Sequence, residues 1–212
     1  MRRARWRGFY FITDSSLTEL GILEDTRLAL EVGVALVQYR EKALPLDACL
    51  AQARPLQALC REAGVPLIIN DDLDLALELG GDGVHVGQGD TAASQARRRL
   101  GPQAILGVSV GCPEEARAAQ AAGADYVAAS PVFSTPTKPD AAQPVGIEGV
   151  RAIRAATDLP LVAIGGVNVT NAAALVEAGA DLLCAISASL AGGRVKQNIH
   201  DLLIAAKFGG ES

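Results

Sequence analysis

The chain has 212 residues, half of them hydrophobic but only 4% aromatic, with 22 glycines and 20% charged residues. That composition excludes disorder, and a chain of this length buries roughly 70% of its unfolded surface in one core, so a single domain over residues 1–212 is the expectation. A formal net charge of -5 excludes the bulk attraction of a nucleic-acid binder, and any anionic ligand must meet locally placed cations.

The chain opens on Arg2, Arg3, Arg5 and Arg7 with no apolar stretch and cleavage site behind them. This is no signal peptide, and residues 1–7 are expected to fray into solvent. No uninterrupted apolar run approaches the roughly 18 residues of a membrane span. A soluble, cytoplasmic protein with neither membrane nor nucleic-acid partners is therefore expected, and a homo-oligomer is left open. Cys49, Cys60, Cys112 and Cys184 form no C-x-x-C pair, and His85 stands far from His200. Zinc is not expected, and the cysteines read as reduced fillers of small apolar spaces.

A helical stretch, a small residue with Gly, and a β-branched run recur along the chain, as in Glu62-Ala63-Gly64-Val65, Ala121-Ala122-Gly123-Ala124-Asp125 and Glu177-Ala178-Gly179-Ala180-Asp181. Gly takes the left-handed position that ends a helix and the chain enters a strand at once, the mark of parallel β/α units. Eight strands are predicted, over residues 9–13, 36–40, 66–70, 83–86, 105–109, 126–129, 161–164 and 182–186. Helices such as 48–63 and 114–122 alternate with them, and an eighth is predicted over 195–208. Eight units predict an α/β protein, a single (β/α)8 TIM barrel, in preference to an open doubly wound sheet.

Polar residues collect where each strand ends, which in such barrels is the catalytic face. After the second strand, period-two alternation sets Gln38, Arg40 and Lys42 on one side and Tyr39 and Glu41 on the other. The third ends in Asn70-Asp71-Asp72 and the fourth leads through Gly87-Gln88-Gly89 to Asp90. Carboxylates on adjacent loops suit one hard cation completed by substrate phosphate, so Asp71 and Asp90 are the candidate metal ligands; helix capping is the rival role for Asp71. His85, inside the fourth strand, reads as a packed or hydrogen-bonded histidine rather than a base. The fifth strand ends in Ser109. The long stretch 131–146 carries Thr135, Pro136, Thr137 and Lys138 and reads as a lid. Gly165-Gly166 and Ile186-Ser187 follow strands seven and eight, where barrels commonly cradle phosphate. Neither nucleotide-loop signature is present, so ATP and NAD have no support.

In order, Phe11-Ile12-Thr13-Asp14, Val37-Gln38-Tyr39-Arg40-Glu41-Lys42, Asn70-Asp71, Gly83-Val84-His85-Val86-Gly87-Gln88 with Asp90, Gly107-Val108-Ser109, Thr135-Pro136-Thr137-Lys138, Gly165-Gly166 and Ile186-Ser187-Ala188 resemble the thiamine phosphate synthase family over practically the whole chain. The resemblance implies a transferase that joins a pyrimidine diphosphate to a thiazole phosphate with Mg²⁺ and releases pyrophosphate. It implies that the segment Gln38-Tyr39-Arg40-Glu41-Lys42, with Asn70, Ser109 and Lys138, holds the pyrimidine diphosphate, and that Arg40, Lys42, Ser109 and Lys138 are catalytic. Asp71 and Asp90 would bind magnesium, and Thr135, Pro136, Thr137, Gly166, Ile186 and Ser187 the thiazole phosphate. Tyr39 stands where leucine is common in that family, and Gly89 where an acidic residue is frequent. The alternatives are the related thiazole tautomerase, which has no need of Asp71, Asp90 and Lys138 together, and a non-catalytic barrel that binds a phosphorylated ligand.

Overall fold

The computed structural model describes residues 6–135, 137 and 143–208. Strands β1 (Gly8–Ile12), β2 (Leu36–Tyr39), β3 (Leu67–Asn70), β4 (Gly83–Val86), β5 (Ile105–Val110), β6 (Tyr126–Ala129), β7 (Leu161–Ile164) and β8 (Leu182–Cys184) close into one barrel in chain order. Every pairing is parallel, and β1 seals the barrel by setting Gly8 against Leu182 and Phe9 against Leu183. This closure excludes the open sheet. Helices α1 (Ile22–Val32), α2 (Leu46–Ala63), α3 (Leu73–Leu79), α4 (Ala93–Leu100), α5 (Pro113–Ala121), α6 (Gly146–Ala156) and α7 (Ala172–Glu177) connect successive strands; α8 (Ile186–Leu190) and α9 (Val195–Ala205) follow β8. None of the described helices is long and apolar enough to cross a membrane.

Strand alternation divides the core in two. Tyr10, Ile12, Leu36, Ile68, Tyr126, Val162 and Leu182 point into the barrel. Their neighbours Phe9, Phe11, Val37, Leu67, Ile69 and Leu161 face outward, onto Ala53, Leu56, Ile153, Leu175 and Ile199 of the helices. Inside and outside are thus both apolar, which is why the strands read as continuous hydrophobic runs.

The recurrent aspartate before a strand has a structural cause. Asp82, Asp125 and Asp181, just ahead of β4, β6 and β8, each accept an amide from the start of the preceding strand: Leu67 and Leu161, the first residues of β3 and β7, and Leu106, the second of β5, donate at 2.9 Å. Arg97 pairs with Asp125 at 2.6 Å and Arg154 with Asp181 at 3.0 Å. Carboxylates satisfy strand-start donors that no neighbouring backbone reaches, so they stitch the face opposite the site.

Several expectations need correction: β1 ends at Ile12 rather than residue 13, β3 begins at Leu67 rather than residue 66, and the last helix ends at Ala205 rather than residue 208. Strand β2 stops at Tyr39 rather than residue 40, because the Arg40 amide turns to the Thr13 hydroxyl at 3.0 Å. Strand β8 stops at Cys184, and the chain from Ile186 closes a short helix in which Ser189 N–H donates to the Ala185 carbonyl. Of the residues expected to fray, Trp6 packs edge-on against Tyr126 with centroids 6.0 Å apart, and the Arg7 guanidinium lies over the Phe208 ring. Residues 1–5 lie outside the described residues.

Candidate active site

Because all strands are parallel, their carboxyl ends open on one face, and a cavity there gathers side chains from most of the units. Gln38 lines it from β2, and Arg40 and Lys42 from the segment just after, on the side that alternation predicts. Asn70, Asp71, Asp90, Ser109, Thr135, Thr137, Gly166, Ile186 and Ser187 line it too. Tyr39 and Glu41 do not. The Tyr39 side chain lies under α2 and donates to Gln52 Oε1 at 2.9 Å, and Glu41 accepts from Ser15 Oγ and from the amides of Lys42 and Ala43. Their alternation puts them on the wrong side to touch a ligand in the cavity. Pro136 and Lys138 lie outside the described residues, as does much of the stretch read as a lid.

Arg40 is held in place by a buried partner that sequence reasoning did not single out. Its Nη1 donates to Asp14 Oδ2 at 2.8 Å, and Asp14 Oδ1 is in turn fixed by the amide and hydroxyl of Ser16. The remaining guanidinium donors are left for an anion in the cavity.

Asp71 and Asp90 lie side by side. Burial and the adjacent Asp90 carboxyl push the Asp71 carboxyl up to about 6, and Asn70 and Lys42 pull it only part of the way back. Asn70 Nδ2 donates to Asp71 Oδ2 and Gly87 N–H to Asp90 Oδ2, each at 2.7 Å. Asp71 sits at φ 60, a left-handed conformation that a non-glycine residue adopts at a cost. The rival capping role falls to its neighbour: Asp72 Oδ1 accepts from the Leu75 amide and starts α3. A partly buried carboxylate beside a second, exposed one fits a hard dication, whose charge relieves their repulsion. Among the described residues no group of three or more acidic, His or Cys side chains could hold a metal, so its other ligands would be water and substrate oxygens.

Below the mouth, a line of side chains crosses the barrel. Gln38 Nε2 donates to Tyr10 Oη at 2.7 Å, Tyr10 Oη meets Tyr126 Oη at 2.7 Å, Tyr126 Oη meets His85 Nδ1 at 2.9 Å, and His85 Nε2 meets Ser109 Oγ at 2.9 Å. The hydrogen-bonded reading of His85 is correct. The two tyrosines were missed, because a phenol in a hydrophobic strand looks like core until its hydroxyl finds a partner. Gly107 supplies the room: a Cβ there would overlap the Tyr126 phenol.

On the far side, Gly165 at φ 98 and Gly166 at φ 65 admit the segment after β6. A Cβ on Gly165 would fall 2.7 Å from Pro131 Cβ, and one on Gly166 2.7 Å from Phe133 Cβ. Phe133 N–H donates to the Gly165 carbonyl at 3.0 Å, and Thr137 N–H to Thr135 Oγ1 at 3.3 Å.

A closed parallel barrel with cations, paired carboxylates and hydroxyls at its carboxyl face defines an enzyme that handles phosphorylated small molecules. The model of the family described as thiamine monophosphate synthase matches residues 9–189. A thiamine-phosphate synthase of Moorella thermoacetica is 46% identical over 188 residues, covering 87% of this chain and 88% of that protein. One from Chloroflexus aurantiacus is 45% identical over 190 residues, covering 88% and 86%. The solved thiamine phosphate pyrophosphorylase from Pyrococcus furiosus superposes with a TM-score of 0.87 at 33% identity, over 97% of this chain and 98% of that one. The chain belongs to the thiamine monophosphate synthase family and is a transferase of thiamine biosynthesis.

Proposed function

We propose that the chain joins 4-amino-5-hydroxymethyl-2-methylpyrimidine diphosphate to 4-methyl-5-(2-phosphooxyethyl)thiazole by dissociative substitution, giving thiamine phosphate and pyrophosphate, with Mg²⁺ held by Asp71 and Asp90. The observation that carries this reading is the convergence of Arg40 and Lys42 with the Asp71–Asp90 pair in one cavity. A tautomerase releases no diphosphate and has no use for that combination.

Arg40, anchored on Asp14, and Lys42 bind the diphosphate oxygens and stabilise the negative charge that grows as the C–O bond breaks. Bound between Asp71 and Asp90, Mg²⁺ would offset further charge on the same group. The pyrimidine's own amino group stabilises the carbon left behind, so no protein nucleophile is required. Gln38, Asn70 and Ser109 orient the ring, and Thr135, Thr137, Gly166, Ile186 and Ser187 hold the thiazole phosphate so that its nitrogen lies against the reacting carbon. Lys138, one residue beyond Thr137, is assigned to the leaving diphosphate. Both substrates are small phosphorylated anions, and the cytoplasm is the compartment proposed for their coupling.

The test is incubation of the purified chain with both substrates, with and without Mg²⁺, followed by assay of thiamine phosphate and pyrophosphate. Equal amounts of both products, dependent on metal and on both substrates, are expected. Metal-independent coupling would remove the role of Asp71 and Asp90, and absence of coupling would remove the reading.

A further inference from the structure

The five side chains under the cavity form a hydrogen-bond line with a direction. Each phenol carries one hydrogen, and a neutral imidazole carries one between its two nitrogens. Gln38 Nε2–H donates to Tyr10 Oη, so the Tyr10 hydrogen goes to Tyr126 Oη and the Tyr126 hydrogen to His85 Nδ1. The imidazole proton then sits on Nε2 and is donated to Ser109 Oγ, which leaves the Ser109 hydroxyl hydrogen for the cavity. In the opposite arrangement Ser109 donates to Nε2, every later bond reverses, and Gln38 must turn its carbonyl to Tyr10. A mixed arrangement lets one phenol oxygen accept twice and leaves its own buried hydrogen without an acceptor, or sets two lone pairs against each other. Tyr10 and Tyr126 are each about 1% exposed or less, and burial holds both phenols above their usual range, so neither ionises to break the line.

We propose that His85 is a positioning residue which, through Tyr126 and Tyr10, fixes the hydrogen-bond polarity of the cavity: Gln38 presents its carbonyl oxygen and Ser109 its hydroxyl hydrogen. The orientation of Gln38, with Nε2 on Tyr10, selects this polarity over its reverse. It suits a 4-aminopyrimidine, whose amino group donates and whose ring nitrogens accept. The 4-oxo counterpart brings a carbonyl to the Gln38 oxygen and a ring N–H to the Ser109 hydroxyl, so both contacts become repulsive. The line is thus the specificity device for the amino group, acting through the two residues at its ends, Gln38 and Ser109. This identification of the ligand rests on the proposed function above; the polarity itself does not.

Two measurements separate these. Long-range nitrogen-15 spectra of the substrate-free full chain report which ring nitrogen carries the proton, and the chain's only other histidine, His200, is assigned by His200→Gln. His85 is expected as the Nε2–H tautomer; an Nδ1–H tautomer would overturn the proposal without reference to any substrate. Tyr126→Phe keeps the ring that Gly107 accommodates and removes the joint. It should raise the KM for the aminopyrimidine diphosphate about tenfold, the loss of one buried hydrogen bond, lower the amino-over-oxo preference by a similar factor, and leave the KM for thiazole phosphate unchanged. Tyr10→Phe, which cuts the line one joint nearer Gln38, should do the same and serves if Tyr126→Phe does not fold. Unaltered selectivity in a folded variant would overturn the proposal. If the wild-type chain couples neither pyrimidine, the proposed function fails, while the tautomer still decides the polarity.

Discussion

Arg40 reaches the cavity from a fixed base: its guanidinium is 2.8 Å from Asp14, whose side chain is only 6% exposed. The pair joins the loop after β1 to the end of β2, and it fixes where the guanidinium would meet the proposed diphosphate. Asp14→Asn removes the counter-ion and keeps the shape. The KM for the pyrimidine diphosphate should rise about tenfold, the worth of one charge-assisted hydrogen bond, with the KM for thiazole phosphate unchanged. Steady-state kinetics with each substrate varied in turn check this, and an unaltered KM would free Arg40 from Asp14.

Asp71 should give the enzyme a characteristic pH dependence. Its carboxyl is held at about 6, so metal affinity should weaken as pH falls through that value and the ligand protonates. In the metal-free protein the sign for stability is opposite. A raised folded-state pKa contributes stability that is complete below the ordinary carboxylate value of about 4 and is lost as pH rises through about 6. Asp71→Asn should therefore raise the melting temperature of the metal-free protein at neutral pH and lower turnover on the order of 10²-fold or more. Calorimetric melting and Mg²⁺ titrations from pH 5 to 8 test both parts.

Asp25 makes a related prediction away from the site. It is 1% exposed in α1, and neither carboxyl oxygen has a hydrogen-bond partner among the described residues. Burial raises its pKa, with Glu24 and Glu19 adding to the rise. Its stabilising contribution is present below the ordinary carboxylate pKa and is lost as pH rises through the raised value. Asp25→Asn should melt higher than the parent at neutral pH, with the difference shrinking on acidification and activity unaffected. A difference that stays constant with pH would show that Asp25 titrates normally.

Gly166 supports the segment that carries Thr135 and Thr137. Gly166→Ala places a methyl group against Phe133 at a backbone φ of 65. Destabilisation on the order of 1–3 kcal/mol is expected, read as a fall in Tm, together with a higher KM for thiazole phosphate. An unchanged Tm would mean that the segment after β6 yields at little cost.

Lys138 tests the proposed division of residues between the two substrates. Lys138→Ala should lower the coupling rate on the order of 10²–10³-fold, the loss of one preorganised charge, with thiazole phosphate affinity retained in calorimetry. Loss of that affinity with normal coupling would move Lys138 to the other substrate.

The sequence by itself determined the eight strands, the identity of the catalytic face and the polar half of the residues that line the cavity, because these depend on local rules. Period-two alternation separates Gln38, Arg40 and Lys42 from Tyr39 and Glu41, and glycine after a helix announces the next parallel strand. Reading Tyr39 and Glu41 as ligands went against that alternation, and the structure follows the alternation. Tertiary structure alone decided what depends on distance between units. Closure of β1 on β8 settled barrel against open sheet. The anchoring of Arg40 by Asp14 spans two loops, and that Asp72 rather than Asp71 caps α3 while Asp90 lies beside Asp71 shows only in the fold. The line from Gln38 to Ser109 draws its joints from β1, β2, β4, β5 and β6. A phenol and an imidazole inside apolar strands carry no sign of their partners in the sequence, since hydrogen bonds across a barrel floor link residues as far apart as Tyr10 and Tyr126, and only folding brings those strands around the same axis.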